Sequence, residues 1–370
     1  MQPNVATSVE LYARRIARVR AEMKSRDINA LVVSVGFDLP YLVGYQAMPL
    51  ERLTALVITD RAATLVVPRL EAPRVTELPG VFDLVAWNET DDPVAITARF
   101  IGAARRVAIG DQMWARFLVE LLAHLPGRGF SRSVDVVGPL RIAKDSDEIS
   151  ALAVAGAAAD RVAAQLQRGD IPLVGRSEAQ VSADISARLL AEGHDAVNFA
   201  IVAAGENAAS PHHHPGPRII ARGDIVLCDF GGTMNGYCSD ITRCVHIGAP
   251  PADVARAWAD LQRAQESGVK AGRLGATCES VDAAARGVLV EAGWGDHFIH
   301  RTGHGIGMEA HEEPYMVSGN LLPIAAGHAF SVEPGIYVAG KWGMRLEDIV
   351  VATDAGPRRM NFAPRDLVVL

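Results

Sequence analysis

Five side chains of metal-binding type, Asp229, Asp240, His304, Glu333 and Glu347, are strung along the chain, and a fold that uses them together must bring all five to one place. Four carboxylates and one imidazole are what two divalent cations need if they share a water, and a metal-bound bridging water is a hydrolytic nucleophile at neutral pH. The settings are Leu227-Cys228-Asp229-Phe230-Gly231-Gly232, Ser239-Asp240-Ile241-Thr242-Arg243, Thr302-Gly303-His304-Gly305-Ile306-Gly307, Ser331-Val332-Glu333-Pro334-Gly335 and Met344-Arg345-Leu346-Glu347-Asp348.

Local pattern lets these residues meet. Ile225–Phe230 and Tyr237–His246 read as strands, joined by the turn residues Gly231, Gly232, Asn235 and Gly236. A turn centred on Met234 and Asn235 sets Asp229 opposite Asp240. A turn on Asn235-Gly236 instead sets Asp229 opposite Thr242 and diagonal to Asp240. Side chains alternate, so in both registers the two aspartates share a face. His328–Glu333 and Arg345–Val350 form the second pair, and a turn centred on Gly340 sets Glu333 opposite Glu347. Pro334-Gly335 is placed to bend or bulge that pair. The glycines around His304 allow close approach of backbone and ligands.

Clustered carboxylates without a cation repel, and some must take up protons. Two divalent cations balance four carboxylates, with a neutral His completing the set. Oxygen ligands plus one nitrogen suit Mn, Co, Fe or Zn. Unrelated surface acids near turns are the better explanation of any single acid, but not of all five in these settings.

With these motifs the chain resembles the M24 metallopeptidases, the pita-bread enzymes that include prolidase, aminopeptidase P and methionine aminopeptidase. The N-terminal part resembles the smaller α/β domain of prolidase and aminopeptidase P, and Leu140–Ile149 resembles the linker that follows it. The resemblance implies an α/β domain over residues 1–140 and an α+β pita-bread catalytic domain over 141–370. It implies two divalent metal ions per chain, manganese first, with Asp229, Asp240, His304, Glu333 and Glu347 as ligands.

The same resemblance assigns roles to other residues. His212 lies 17 residues before Asp229 in Pro211-His212-His213-His214-Pro215, the family's spacing for a His that contacts substrate and steadies the tetrahedral intermediate. His213 and His214 read as a solvated loop. His311 corresponds to a His that hydrogen-bonds substrate near the scissile carbonyl, and His300 to one in the substrate pocket. Arg345 is the expected partner of a substrate carboxylate or an active-site acid, its plainer role being an ion pair with Asp348 or another carboxylate. Glu333 doubles as ligand and proton shuttle.

Composition fits an enzyme of two domains: 370 residues, 49% hydrophobic and 21% charged. A net charge of −7 gives no reason to expect nucleic acid or an acidic membrane as partner. No charged-then-apolar leader and no uninterrupted membrane-length apolar run is seen. Cys228, Cys238, Cys244 and Cys278, without CxxC spacing, read as reduced, buried thiols of a cytoplasmic protein. Helices are expected over Thr7–Arg26, 93–104, 113–125, Asp147–Arg168, Ala252–Ala271 and Cys278–Ala292, with another capped by Ser177 and Gln180. Strands are expected at Ala30–Val35, Ala55–Thr59, Thr64–Val67 and Val107–Ile109, with the first domain ending near Gly138. The two acidic hairpins hint at internal duplication.

The expected activity is hydrolysis of the Xaa-Pro bond in dipeptides or short peptides by a metal-bridging hydroxide, in a homodimer. Xaa-Pro comes from the resemblance alone, and the compact first domain favours dipeptides. The alternatives are an aminopeptidase P acting on longer peptides, an ectoine hydrolase-like enzyme cleaving a non-peptide C–N bond, and a non-catalytic binding module.

Overall fold

The computed structural model describes residues 5–370. The chain divides into two compact units, one ending at Arg141 and the other running from Ile142 to Leu370. In the first, α1 (Val5–Ser25) leads into β1 (Ala30–Val33), and α2 (Asp38–Val43) precedes β2 (Ala55–Thr59) and β3 (Ala63–Pro68). Then come β4 (Asp83–Trp87), α3 (Pro93–Ile101), β5 (Arg106–Ile109), α4 (Ala115–His124), β6 (Gly129–Arg132) and α5 (Val134–Ile142). The sheet order is β4-β3-β2-β1-β5-β6. Its centre is antiparallel, and β4, β5 and β6 add in parallel.

β1, β2 and β3 are almost wholly buried, and their continuous apolar runs announce them. β4 and β6 are the edge strands; β6 is mostly exposed and lacks such a run, whereas β4 carries a half-buried apolar run over residues 84–87, and neither is among the expected strands. α5 runs through Gly138 and Pro139, and the unit ends at Arg141.

The second unit opens with α6 (Ser146–Gln167) and α7 (Glu178–Ala191), followed by β7 (Ala196–Ala204), β8 (Ile225–Met234), β9 (Tyr237–Cys238) and β10 (Ile241–His246). Asp145 with Glu148 and Ser177 with Gln180 form capping boxes that start the two helices. By length and composition α6 could cross a membrane. Its Val162, Ala163 and Leu166 pack instead with Val181, Ile185 and Leu189 of α7 against Val202, Phe230 and Ile241. A second set follows: α8 (Ala252–Ala271), α9 (Cys278–Glu291), β11 (Gly303–Gly305), β12 (Glu312–Met316), β13 (Ala329–Val332), β14 (Gly335–Val338), β15 (Trp342–Arg345), β16 (Asp348–Thr353), β17 (Gly356–Arg359) and β18 (Val368–Val369). The sheets run β18-β10-β8-β7, with β9 on β8, and β12-β11-β13-β16-β17.

The two sets repeat one plan: two helices, then an antiparallel strand pair bearing two acids. Ser177 before α7 bridges to Ile219, and Thr277 before α9 bridges to Pro323, so even the helix entries correspond. This is the duplicated α+β layout of the pita-bread fold.

Register directs the acids inward. On β8, Val226, Cys228 and Phe230 face the α6–α7 core, while Ile225 and Leu227 face the opposite core with Trp258 and Leu261. Asp229 follows Ile225 and Leu227 on their face. Thr242 is its partner on β10, so the turn lies at Asn235-Gly236, where both residues have positive φ. In the second pair, Val332 opposes Asp348 and Gly335 opposes Arg345. The Glu333–Glu347 register expected from Gly340 is preserved, but Pro334-Gly335 splits the ladder into two short ones at that point.

Arg243 ties the halves of this unit together. It is fully buried, and its guanidinium donates to the carbonyls of Thr242, Glu347, Ala363 and Pro364 and to Asp348 Oδ1 at 2.7 Å. Its loss leaves several buried acceptors without donors. Arg243→Leu should destabilise the protein by about 3 kcal/mol or more, read as a lowered denaturation midpoint in urea.

Candidate metal centre

β8 supplies Asp229, and the gap between β9 and β10 supplies Asp240, opposite Gly231. Added to Gly231, a Cβ would lie 2.1 Å from the Ser239 carbonyl, so only glycine permits this approach. β11 carries His304 between Gly303 and Gly305. Glu333 and Glu347 come from the breaks that follow β13 and precede β16. All five expected ligand residues therefore converge. Ligand atoms of Asp229, Asp240 and Glu347 lie within 4.8 Å of one another, as do those of His304, Glu333 and Glu347, and of Asp240, His304 and His311. His304 Nε2 is 3.3 Å from Glu333 Oε1 and 3.8 Å from Asp240 Oδ2.

Hydrogen bonds orient these groups. The Nδ1 of His304 donates to the Gly305 carbonyl at 3.0 Å, which leaves Nε2 as a lone-pair donor facing the acids. Ser331 Oγ donates to Glu333 Oε1, and Thr242 Oγ1 donates to Glu347 Oε2 at 2.7 Å. Arg345 Nη2 meets Asp229 Oδ2 at 2.5 Å, and its Nε donates to Thr242 Oγ1. Its Nη1 donates to the hydroxyl of Tyr337 and the carbonyl of Pro211.

A cation fits this cradle. Asp229 Oδ1, Asp240 Oδ1 and Glu347 Oε1 are buried oxygens with no hydrogen-bond partner, a costly state that a cation relieves. Burial, and then the neighbouring carboxylates, push Asp240 and Glu347 well above the usual carboxylate range. Burial holds His304 at about 4, so its imidazole is neutral and able to ligate.

The remaining expected site residues surround this cluster. His311 packs its ring 3.9 Å from that of His304. It keeps an open surface, yet desolvation and then His304 hold it at about 4. His300 donates from Nδ1 to the Arg301 carbonyl and accepts the Tyr337 hydroxyl proton at Nε2. The exposed His212 follows Pro211, whose carbonyl is fixed by Arg345, and lies near enough to His300 to disfavour its charge. Arg345 is an active-site acid's partner, whereas Asp348, its other expected partner, is held by Arg243 and Arg359.

His213 corrects the expectation of a solvated loop. Its Nε2 contacts the fully buried carboxylate of Glu178 at 2.8 Å, alongside donors from Ala204, Asn207 and Gly216. His214 is exposed as expected. Thr242, Tyr337 and Glu178 are not among the expected site residues. Period-2 alternation from Asp240 and from Glu333 offers a signal for the first two; Glu178 offers none.

Electrostatic strain sets how the metal-free protein responds to pH. Raised carboxyl pKa values mean that the folded state binds more protons than the unfolded one, so stability falls as pH rises. The depressed His304 and His311 act oppositely, but only as pH falls from about 6.5 toward 4. Above about pH 6.5, where histidine is neutral in both states, the raised carboxyls of Asp240 and Glu347 decide. The melting temperature of chelated protein should therefore drop across this range, and divalent metal should flatten the slope. Asp240→Asn should raise the melting temperature of the chelated protein at pH 8 while lowering its metal content.

Comparison with known proteins identifies the family. Residues 149–354 match the family model of metallopeptidase family M24, and residues 15–142 match that of the creatinase/prolidase N-terminal domain. A probable dipeptidase PepE of Mycobacterium bovis is 45% identical over 370 residues, covering 98% of this chain and 97% of its own. The crystal structure of dipeptidase PepE from Mycobacterium ulcerans superposes with a TM-score of 0.93 at 46% identity, over 98% of each chain. A prolidase from Thermococcus sibiricus gives 0.92 at 36% identity, over 97% of this chain and 99% of that one. The protein belongs to metallopeptidase family M24, with a creatinase/prolidase N-terminal domain, and is a metal-dependent peptidase of the pita-bread fold.

Proposed function

We propose that the enzyme is an Xaa-Pro dipeptidase working with two divalent cations, manganese first among the candidates. The observation that carries the metal part is the set of three partnerless buried carboxylate oxygens beside His304 and Glu333. Four carboxylates against one guanidinium leave more negative charge than one divalent cation balances. Similarity to proteins named dipeptidase and prolidase supports the substrate class.

Bound cations would supply a water acidified to a nucleophile and a polarised scissile carbonyl. The chain does the rest. Glu333, oriented by Ser331 on Oε1 and facing Arg345 Nε at 3.9 Å from Oε2, takes the proton of that water and returns one to the departing proline nitrogen. His311, neutral above pH 4, and His212 at the open side donate hydrogen bonds to the tetrahedral oxygen. Arg345 holds Asp229 in place and, through Pro211, sets the position of His212. Tyr337 couples this guanidinium to His300.

His212→Ala and His311→Ala should each keep metal content near normal and lower turnover roughly 10²-fold. His213→Ala should act through disorder of the same loop, raising KM for peptide more than it lowers kcat. The reading as a whole is tested with Xaa-Pro dipeptides, Xaa-Pro-Yaa tripeptides and ectoine in the presence of Mn, Co and Zn. Fastest cleavage of Xaa-Pro is expected. Cleavage of long Xaa-Pro peptides with dipeptides intact would point to aminopeptidase P. Activity unaffected by strong chelators, in protein free of metal, would end the metal reading altogether.

A further inference from the structure

Two guanidinium groups act on the imidazole of His304, and their situations differ. Arg345 is buried, and its N–H groups are committed to Asp229, Thr242, Tyr337 and Pro211. It has little left to offer a substrate. Arg301 stands three residues before His304, only half buried, with Cζ 4.1 Å from the centre of the Tyr315 ring on β12. Among the described residues its guanidinium has no ion pair or hydrogen bond. Its charge also disfavours protonation of His311, so it lies near the space between the metal ligands and β12.

Stacking on an aromatic ring holds a guanidinium in one plane while its edge N–H groups stay available. A planar acceptor suits that edge, and a carboxylate is the commonest. A dipeptide brings its terminal carboxylate one residue beyond the scissile bond, beside a centre whose two cations are already balanced by four protein carboxylates. Without a cation to receive it, that charge would oppose binding.

We infer that Arg301, seated on Tyr315, receives the C-terminal carboxylate of the substrate and so selects dipeptides over longer peptides. This rests on the dipeptidase reading above and names the residue that sets substrate length. It replaces Arg345 in that role, since Arg345 already neutralises Asp229.

The test compares Ala-Pro with Ala-prolinamide, which differ only in the terminal charge. The wild type should favour the acid by roughly 10- to 100-fold in kcat/KM, the range for a charge-assisted hydrogen bond. Arg301→Ala should bring the acid-to-amide ratio close to one, through KM, with metal content unchanged. Arg301→Lys should restore part of the ratio, because the charge returns without the planar fork. In the wild type, free proline should inhibit more strongly than prolinamide, a measurement that does not depend on a folded variant. An unchanged ratio in Arg301→Ala, or equal inhibition by proline and prolinamide, would overturn the assignment and leave the Xaa-Pro reading standing. Cleavage confined to dipeptides without proline would overturn the Xaa-Pro reading instead, and the acid and amide of the cleaved dipeptide would then decide Arg301.

Discussion

Mutual repulsion among four carboxylates buried in one place is the constraint around which the catalytic unit is organised. Asp229, Asp240, Glu333 and Glu347 come from two strand pairs far apart in sequence, and the guanidinium of Arg345 is close enough to neutralise part of their charge. In water such groups would stay apart; here backbone register forces them together. The folded chain holds this arrangement because apolar packing on the outer faces of the sheets outweighs it. Val181, Ile185 and Leu189 anchor one side, and Val269, Val281 and Phe330 the other. Strain of this kind makes sense only in a protein that binds cations, and it links stability, metal and pH.

Glycine makes the convergence possible. A Cβ on Gly303 would lie 1.9 Å from the Ser331 carbonyl, and one on Gly305 would lie 2.2 Å from that of Glu313. His304 is thus held between two positions where strands approach more closely than any side chain allows. Duplication supplies the other half of the arrangement. Each repeat builds one acidic strand pair on two helices, and Arg243 joins them by bonding Asp348 and the carbonyl of Glu347. The same arginine fixes the backbone of one ligand from one repeat to a strand of the other.

Around the cluster, side chains divide between holding and reading. Arg345, Thr242, Ser331 and Tyr337 are hydrogen-bonded within the site and orient the ligands. Glu178 does similar work at a distance by gathering His213 and three backbone or amide donors, which gives the loop carrying His212 a fixed base. His212, His311 and Arg301 keep open surface around the cluster, and the substrate contacts proposed above fall to them.

The sequence by itself determined the five candidate ligand side chains, the strand pairs that carry them and most helices, because each depends on local pattern: alternation on a strand, turn glycines, capping boxes. It left the first hairpin with two registers, since both put the aspartates on one face; the positive-φ pair Asn235-Gly236 chose between them. The edge strand Gly129–Arg132 escaped because an exposed strand needs no apolar run, while Asp83–Trp87 escaped although its residues 84–87 are apolar. Only the tertiary structure decided the partners of long side chains. Arg345 could have met Asp348, three residues along the chain, yet Arg243 already occupies that acid, and Asp229 takes Arg345 instead. His213 looked like part of an open loop until Glu178, remote in sequence, proved to lie beneath it. Contacts of this sort depend on where whole elements pack, and a flexible side chain carries no local signal of which distant charge it will reach.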